Sequence, residues 1–160
     1  MLKIHIICVG RLKEKFWREA CEEYAKRLSG YCVLKITELG DEKAPEGVSD
    51  REKEKILSRE GERILAAAEG NGVLWALDIK GESMDSETFS TQIDSLAVSG
   101  ASALQLVIGG SFGLSKEVLG AAARRISFSA MTYPHQLMRV ILLEQLYRAF
   151  RISRGEPYHK

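Results

Sequence analysis

Three stretches of this chain are apolar with almost no alternation: "LKIHIICV" from Leu2 to Val9, "VLWALD" from Val73 to Asp78, and "ALQLVI" from Ala103 to Ile108. A strand with one face in water alternates polar and apolar residues, so these runs predict strands covered on both faces. Segments of helical period lie between them. The pattern predicts an α/β chain, a mainly parallel sheet with helices on both faces. With 160 residues and 45% hydrophobic content, the chain suits a single domain, residues 1–160, with a sizeable core.

The helical segments carry their own boundary signals. Phe16, Ala20, Tyr24 and Leu28 recur every four residues, flanked by Trp17 and Cys21, and predict a helix from about Glu14 that Gly30 ends. "YCVLKITEL" predicts a second strand, and the polar stretch Gly40 to Asp50 a mobile loop. Ser49-x-x-Glu52 is a capping box opening a helix that Gly70-Asn71-Gly72 closes. A polar turn is predicted from Lys80 to Asp85, then a helix carrying Phe89, Ile93 and Leu96. Past the third apolar run, "SKEVLGAAARR" predicts a helix capped by Ser115 and "ISFSAM" a last strand. A long final helix follows, from His135 to about Arg151, with Pro134 at its mouth.

Several function classes drop out. No apolar run approaches membrane-spanning length and the opening residues lack a cleavage-like site, so a soluble, cytoplasmic protein that does not engage membranes is expected. Cys8, Cys21 and Cys32 are odd in number and fall on apolar faces, which predicts buried thiols rather than disulfides or a metal site. Charge is unevenly placed. From Arg124 to Lys160 the net is +5 although the whole chain carries only +1, which points either to a site for an anion or nucleic-acid backbone or to a solvated helix face.

Two motifs carry chemistry. In "LVIGGSFGLS" an apolar strand runs into a glycine turn and a capped helix, and Gly109 and Gly110 can take positive φ and let a ligand approach bare backbone. The G-G-x-x-G spacing does not match the dinucleotide fingerprint, and no Gly-Lys-Ser/Thr follows as a P-loop requires. A tight turn without ligand and a turn over another nucleotide-like ligand both fit. At the other end, Glu144 and Arg148 stand four apart on the final helix, as a surface ion pair would. The closing "RGEPYHK" sets Tyr158 and His159 behind a rigid Pro157, side chains able to stack on a base and exchange protons.

Together, "VIGGSFGLS", "SFSAMTYPHQLMRVILLEQLYRAF" and "RGEPYHK" closely resemble the ribosomal large-subunit pseudouridine N3-methyltransferase H family, a minimal branch of the SPOUT class of S-adenosylmethionine-dependent RNA methyltransferases. The opening strand with "VG", the "EYAKRL" helix and "LDIKG" match as well, so the resemblance runs end to end. It implies a C-terminal trefoil knot, which ordinary topology rules would never suggest. It implies S-adenosyl-L-methionine as methyl donor without a metal, held by Leu77, by Gly109 with Gly110, and by Phe128, Ser129, Ala130, Met131, Thr132 and Tyr133. Arg148, Tyr158 and His159 would build the pseudouridine pocket, with His135 and Arg139 near the knot entrance. The implied partners are a second copy, forming a homodimer with shared pockets, and 23S rRNA in the assembled ribosome. A SPOUT enzyme acting on another base or a ribose 2′-hydroxyl, and a non-catalytic ribosome-binding factor, are the competing readings.

Overall fold

The computed structural model describes all 160 residues and makes the three apolar runs the three inner strands of one parallel sheet. In chain order the elements are β1 (Lys3–Val9), α1 (Lys15–Leu28), β2 (Val33–Leu39), α2 (Asp50–Ala67), β3 (Gly72–Ser83), α3 (Ser86–Val98), β4 (Ala103–Ile108), α4 (Lys116–Ala121), β5 (Arg124–Ser127) and α5 (His135–Ser153). The sheet order is β2-β1-β4-β3-β5, every pairing parallel. Strands covered on both faces must be apolar throughout, whereas the edge strands β2 and β5 tolerate lysine, threonine and arginine.

Helices α1, α3 and α5 cover one face and α2 with α4 the other. Ile4, Ile6 and Cys8 of β1 join Leu104, Leu106 and Ile108 of β4 in the larger core, beneath Leu142, Leu143 and Leu146 of α5. Ile7, Val9, Leu74 and Val107 meet Ile64 of α2 and Val118 of α4 on the thinner side. Two polar side chains of the inner strands find partners there. Gln105 exchanges two hydrogen bonds with the backbone of Glu69, at 2.6 and 2.8 Å, and His5 Nε2 meets Thr37 Oγ1 at 2.8 Å. The three cysteines are free and buried, and burial pushes the Cys8 thiol up to about 12. No helix is long and apolar enough to cross a membrane.

Both helix caps form as the sequence predicts, with Ser49 Oγ accepting the Glu52 amide at 3.3 Å and Ser115 Oγ the Val118 amide at 3.2 Å. Three boundaries differ. Strand β3 continues past Lys80 to Ser83, with a register shift that sets both Leu77 and Glu82 opposite Ile126. Gly81 makes this possible, since a Cβ there would lie 2.6 Å from the Arg125 carbonyl carbon. Helix α4 stops at Ala121, and the last strand is Arg124–Ser127 rather than "ISFSAM". At an edge Arg124 can reach out to Glu82 at 3.2 Å, so a charged start costs the strand nothing. Residues 128–134 then form an irregular loop. The stretch expected to be a mobile loop is tied to α2, because the Glu42 amide donates to Glu60 Oε2 and the Glu42 carboxylate meets Arg63.

Candidate functional site

A cavity of about 540 Å³ opens at the carboxyl ends of β4 and β5 and beside the middle of β3, near where ligands of open parallel sheets characteristically sit. Its floor includes Leu77 of β3, Ile108 of β4 and Ile126 of β5. Its walls are the glycine turn after β4, the loop after β5, and the first turn of α5 with His135 and Met138. Of the residues expected to hold a ligand, Leu77, Gly109, Gly110, Phe128, Ser129, Met131, Thr132 and Tyr133 all line it. Ala130 does not. Asp78, Ser111 and Gln136 line it too, with no spacing signal in the sequence to mark them.

The glycines work differently from the expectation. Neither Gly109 nor Gly110 has positive φ; Gly113 does, at +85°. A Cβ on Gly109 would stand 2.4 Å from the Gly113 carbonyl oxygen, and the Gly113 amide donates to the Gly110 carbonyl at 3.1 Å. Gly109 is therefore required first by the turn closing on itself, and only then by any ligand. Downstream, Ser127 Oγ donates to the Ser129 carbonyl at 3.0 Å and Ser129 Oγ accepts the Met131 amide at 2.9 Å. These bonds bend the loop around the cavity.

His135 leads α5 into the cavity wall, and its ring lies so close to Gly10 that a Cβ there would approach Cε1 to 2.6 Å. Burial, then the charge of Arg139, holds the imidazole below its ordinary value, and its buried Nδ1 has no partner. Arg139, expected with His135 near the knot entrance, is 2% exposed. It donates to Glu38 Oε2 at 2.6 Å and to the Gly10 carbonyl at 3.1 Å, an internal brace between α5 and the end of β1. Burial opposes ionisation of Glu38, but the Arg139 guanidinium and the Leu12 amide outweigh it and keep the carboxyl below the usual range.

Arg148, Tyr158 and His159 gather elsewhere, around Glu144. Its Oε1 accepts Arg148 Nε at 3.0 Å, Arg148 Nη2 at 2.6 Å and the Tyr158 hydroxyl at 3.1 Å; its Oε2 accepts Gln145 Nε2 at 2.8 Å. The pair anticipated as a surface contact is largely covered, with side chains 18% and 24% exposed. Arg148 also lies 4.7 Å over the Tyr158 ring, which meets Tyr147 edge-on at 4.9 Å. Arg148 Nη1 approaches His159 Nδ1 at 3.3 Å, and His159 Nε2 faces Glu87 at 3.4 Å. A guanidinium can only donate, so this contact assigns Nδ1 as acceptor and the proton to Nε2. Burial, then the bond to Glu144, raises the Tyr158 hydroxyl above its ordinary value. The tail is anchored further back by Arg151, which donates to Glu156 and to the Pro157 carbonyl.

A second cavity of about 400 Å³ lies beside His159, between α3 and α5, and Phe128 borders both cavities. One chain thus brings together the loop residues and His135, and separately the tail residues and Arg148. Gln145 and Glu87 are the participants that sequence reasoning did not place in the cluster, and Glu144 was read only as the surface partner of Arg148; an acid and an amide on an otherwise apolar face of α5 were the available signal.

The chain matches the family model described as "Predicted SPOUT methyltransferase" over residues 2–159. A protein of Clostridium acetobutylicum named "Ribosomal RNA large subunit methyltransferase H" is 55% identical over 159 residues, 99% of this chain and 100% of the relative. One of the same name from Clostridioides difficile is 53% identical over the same span. Among solved structures, a probable methyltransferase from Bordetella pertussis Tohama I superposes with TM-score 0.58 at 13% identity, covering 93% of this chain and 96% of that one. A probable methylase family protein from Haemophilus influenzae Rd KW20 gives 0.56 at 13% identity, covering 100% and 72%. These two likenesses speak to the fold.

Proposed function

We propose a function that proceeds from one premise: this chain belongs to the SPOUT methyltransferase family. It transfers a methyl group from S-adenosylmethionine to N3 of a pseudouridine in 23S ribosomal RNA, acting in the cytoplasm on the assembled ribosome. The cavity walled by the glycine turn and the 128–134 loop is the observation that carries the reading. Its volume lies within the roughly 300–1,000 Å³ of small-molecule sites. Its floor is apolar, and its loops present amides and carbonyls outside the sheet ladder, which suits a ligand joining adenosine to an amino acid. When bound, the donor supplies an electrophilic sulfonium methyl.

Everything else falls to the protein. N3 of pseudouridine carries a proton, so in-line attack needs that proton removed and the base held still; no metal is called for. Tyr158 is kept a neutral phenol by burial and by Glu144, so it serves as a stacking face and hydrogen-bonding group rather than a base. The Nδ1 lone pair of His159 faces Arg148 and must swing free before it can accept a proton. Solvent hydroxide is the other acceptor. Arg148, held by Glu144, sets a fixed positive charge where negative charge develops on the base as its proton leaves. In this reading a homodimer joins the donor cavity of one subunit to the tail of the other, and the chain after β5 threads a C-terminal trefoil knot around the donor loop.

The test is transfer of labelled methyl from S-adenosylmethionine to ribosomes from a strain lacking this enzyme, beside deproteinised 23S rRNA. Label should enter the ribosomes and not the free RNA. No incorporation into either would overturn the reading, and incorporation into 2′-hydroxyls would reassign the substrate.

A further inference from the structure

Positive charge in this chain is concentrated in two segments. Besides the +5 between Arg124 and Lys160, the eight residues Arg11 to Arg18 carry Arg11, Lys13, Lys15 and Arg18 against Glu14 alone, a net of +3. All other residues together sum to −7. A run of this density on a nearly neutral protein marks a place for a polyanion.

The structure sets that run at the carboxyl end of β1 and the start of α1, at the same end of the sheet as the donor cavity. Arg11, Lys13 and Lys15 are exposed. Lys15 has only a solvent-exposed contact with Glu19 at 3.4 Å, too weak to withdraw it from another anion. Between the cations stands Phe16, 60% exposed, with its ring centroid 4.8 Å from that of Trp17. An aromatic left in water among lysines has no use in the core. Stacking faces interleaved with cations are the means by which proteins hold RNA whose bases are splayed out.

The segment is also held in shape. Arg18 reaches back along the loop, donating to the carbonyls of Leu12 and Lys13 at 3.3 and 2.6 Å. The Leu12 amide donates to Glu38 Oε2 at 3.0 Å, the same oxygen that receives Arg139, while Arg139 also holds the Gly10 carbonyl. Gly10 in turn abuts His135 in the cavity wall. The basic loop and the donor cavity are therefore two parts of one braced unit, so RNA held by the loop would be held at a fixed distance from the reacting centre.

We propose that Arg11, Lys13, Lys15 and Phe16 form a docking surface for ribosomal RNA flanking the target nucleotide, the three cations on phosphates and Phe16 on an unstacked base. This rests on the ribosomal RNA reading above. It adds a contact remote from the tail, which a chain of this size needs to select one nucleotide in a large particle.

The experiment uses the full chain and assembled ribosomes, with binding measured by co-sedimentation across a salt series and methyl transfer followed at varied ribosome concentration. The triple variant Arg11→Ala, Lys13→Ala, Lys15→Ala should bind ribosomes at least 10-fold more weakly at moderate salt and raise the apparent KM for them. Its slope of log affinity against log salt should be shallower by about 2, since each lost phosphate contact removes roughly 0.7–0.9. Phe16→Ala should weaken binding on the order of 10-fold with the slope unchanged. Melting temperature and S-adenosylmethionine affinity should match the unaltered protein in both; should the triple variant fold poorly, Lys13→Glu alone must still weaken binding. Variants that bind ribosomes like the unaltered protein would overturn the proposal while leaving the function intact, whereas an unaltered protein that neither binds nor methylates ribosomes would overturn both. Loss of self-association in Phe16→Ala would reassign the face to a second copy, and loss of binding to phosphatidylglycerol vesicles with ribosome binding intact would reassign it to a lipid surface; either result overturns the proposal.

Discussion

Glu144 accepts four hydrogen bonds from Arg148, Tyr158 and Gln145, and that saturation is what aims the Arg148 guanidinium at His159. Arg148→Ala removes the cation and leaves a covered carboxylate short of its partner, so methyl transfer in single-turnover assays should fall about 10²- to 10³-fold. S-adenosylmethionine affinity by calorimetry should not follow it. Tyr158→Phe keeps the ring under Arg148 and against Tyr147, losing only the bond to Glu144, and should cost about 10-fold. Equal losses in the two variants would contradict the roles assigned. His135 gives a pH signature. Burial, then Arg139, holds it below its ordinary 6.5, so as pH falls the unfolded chain takes up the proton first, and stability declines from about 6.5 until the folded-state value is passed. His5, lowered by burial and Lys35, adds in the same direction. Melting curves between about pH 7.5 and 5.5 should show the decline, less steep in His135→Asn; an identical slope in the variant would show that His135 is not its source.

At the scale of elements, the glycine turn shows how much of the site could be read in advance and where reading stopped. "VIGG" ahead of a Ser-capped helix located the turn correctly, and the strand and caps formed as their residue types require. What makes Gly109 indispensable was not legible, because its constraint comes from the carbonyl of Gly113 four residues on, after the chain has folded back. Gly109→Ala should therefore lower both donor affinity and melting temperature; loss of affinity at an unchanged melting temperature would contradict this account of the turn. The early start of β5 and the extension of β3 escaped the sequence for a related reason. Both depend on pairing at a sheet edge, where the partner strand overrides the polarity of Lys80, Arg124 and Arg125. The tail is similar. Its stacking pair behind Pro157 was legible but its anchors were not: Arg151, Glu156 and Glu144 fix it, so deleting residues 157–160 should lower the melting temperature by a few degrees, where a frayed end would leave it unchanged.

For the whole molecule, uninterrupted apolar runs were enough to predict a parallel sheet covered on both faces, and that is the sheet observed. The methyl donor and the ribosomal RNA substrate were expected from family resemblance alone, because nothing in periodicity names a ligand. The cavity beside His159 and the cavity lined by the glycine turn share only Phe128 along their linings, an arrangement suited to pockets completed by a second copy. Mixing Gly109→Ala with Arg148→Ala protein should then restore methyl transfer above that of either alone, as one intact composite pocket forms in each mixed dimer. No gain on mixing would place donor and target sites within one subunit. The central claim is methylation at N3 of a pseudouridine on the assembled ribosome, and mass mapping of large-subunit rRNA nucleosides from cells lacking this protein tests it most directly. The account predicts a single pseudouridine lighter by one methyl group, restored by the unaltered chain and not by Arg148→Ala. An rRNA modification map identical with and without the protein would contradict it.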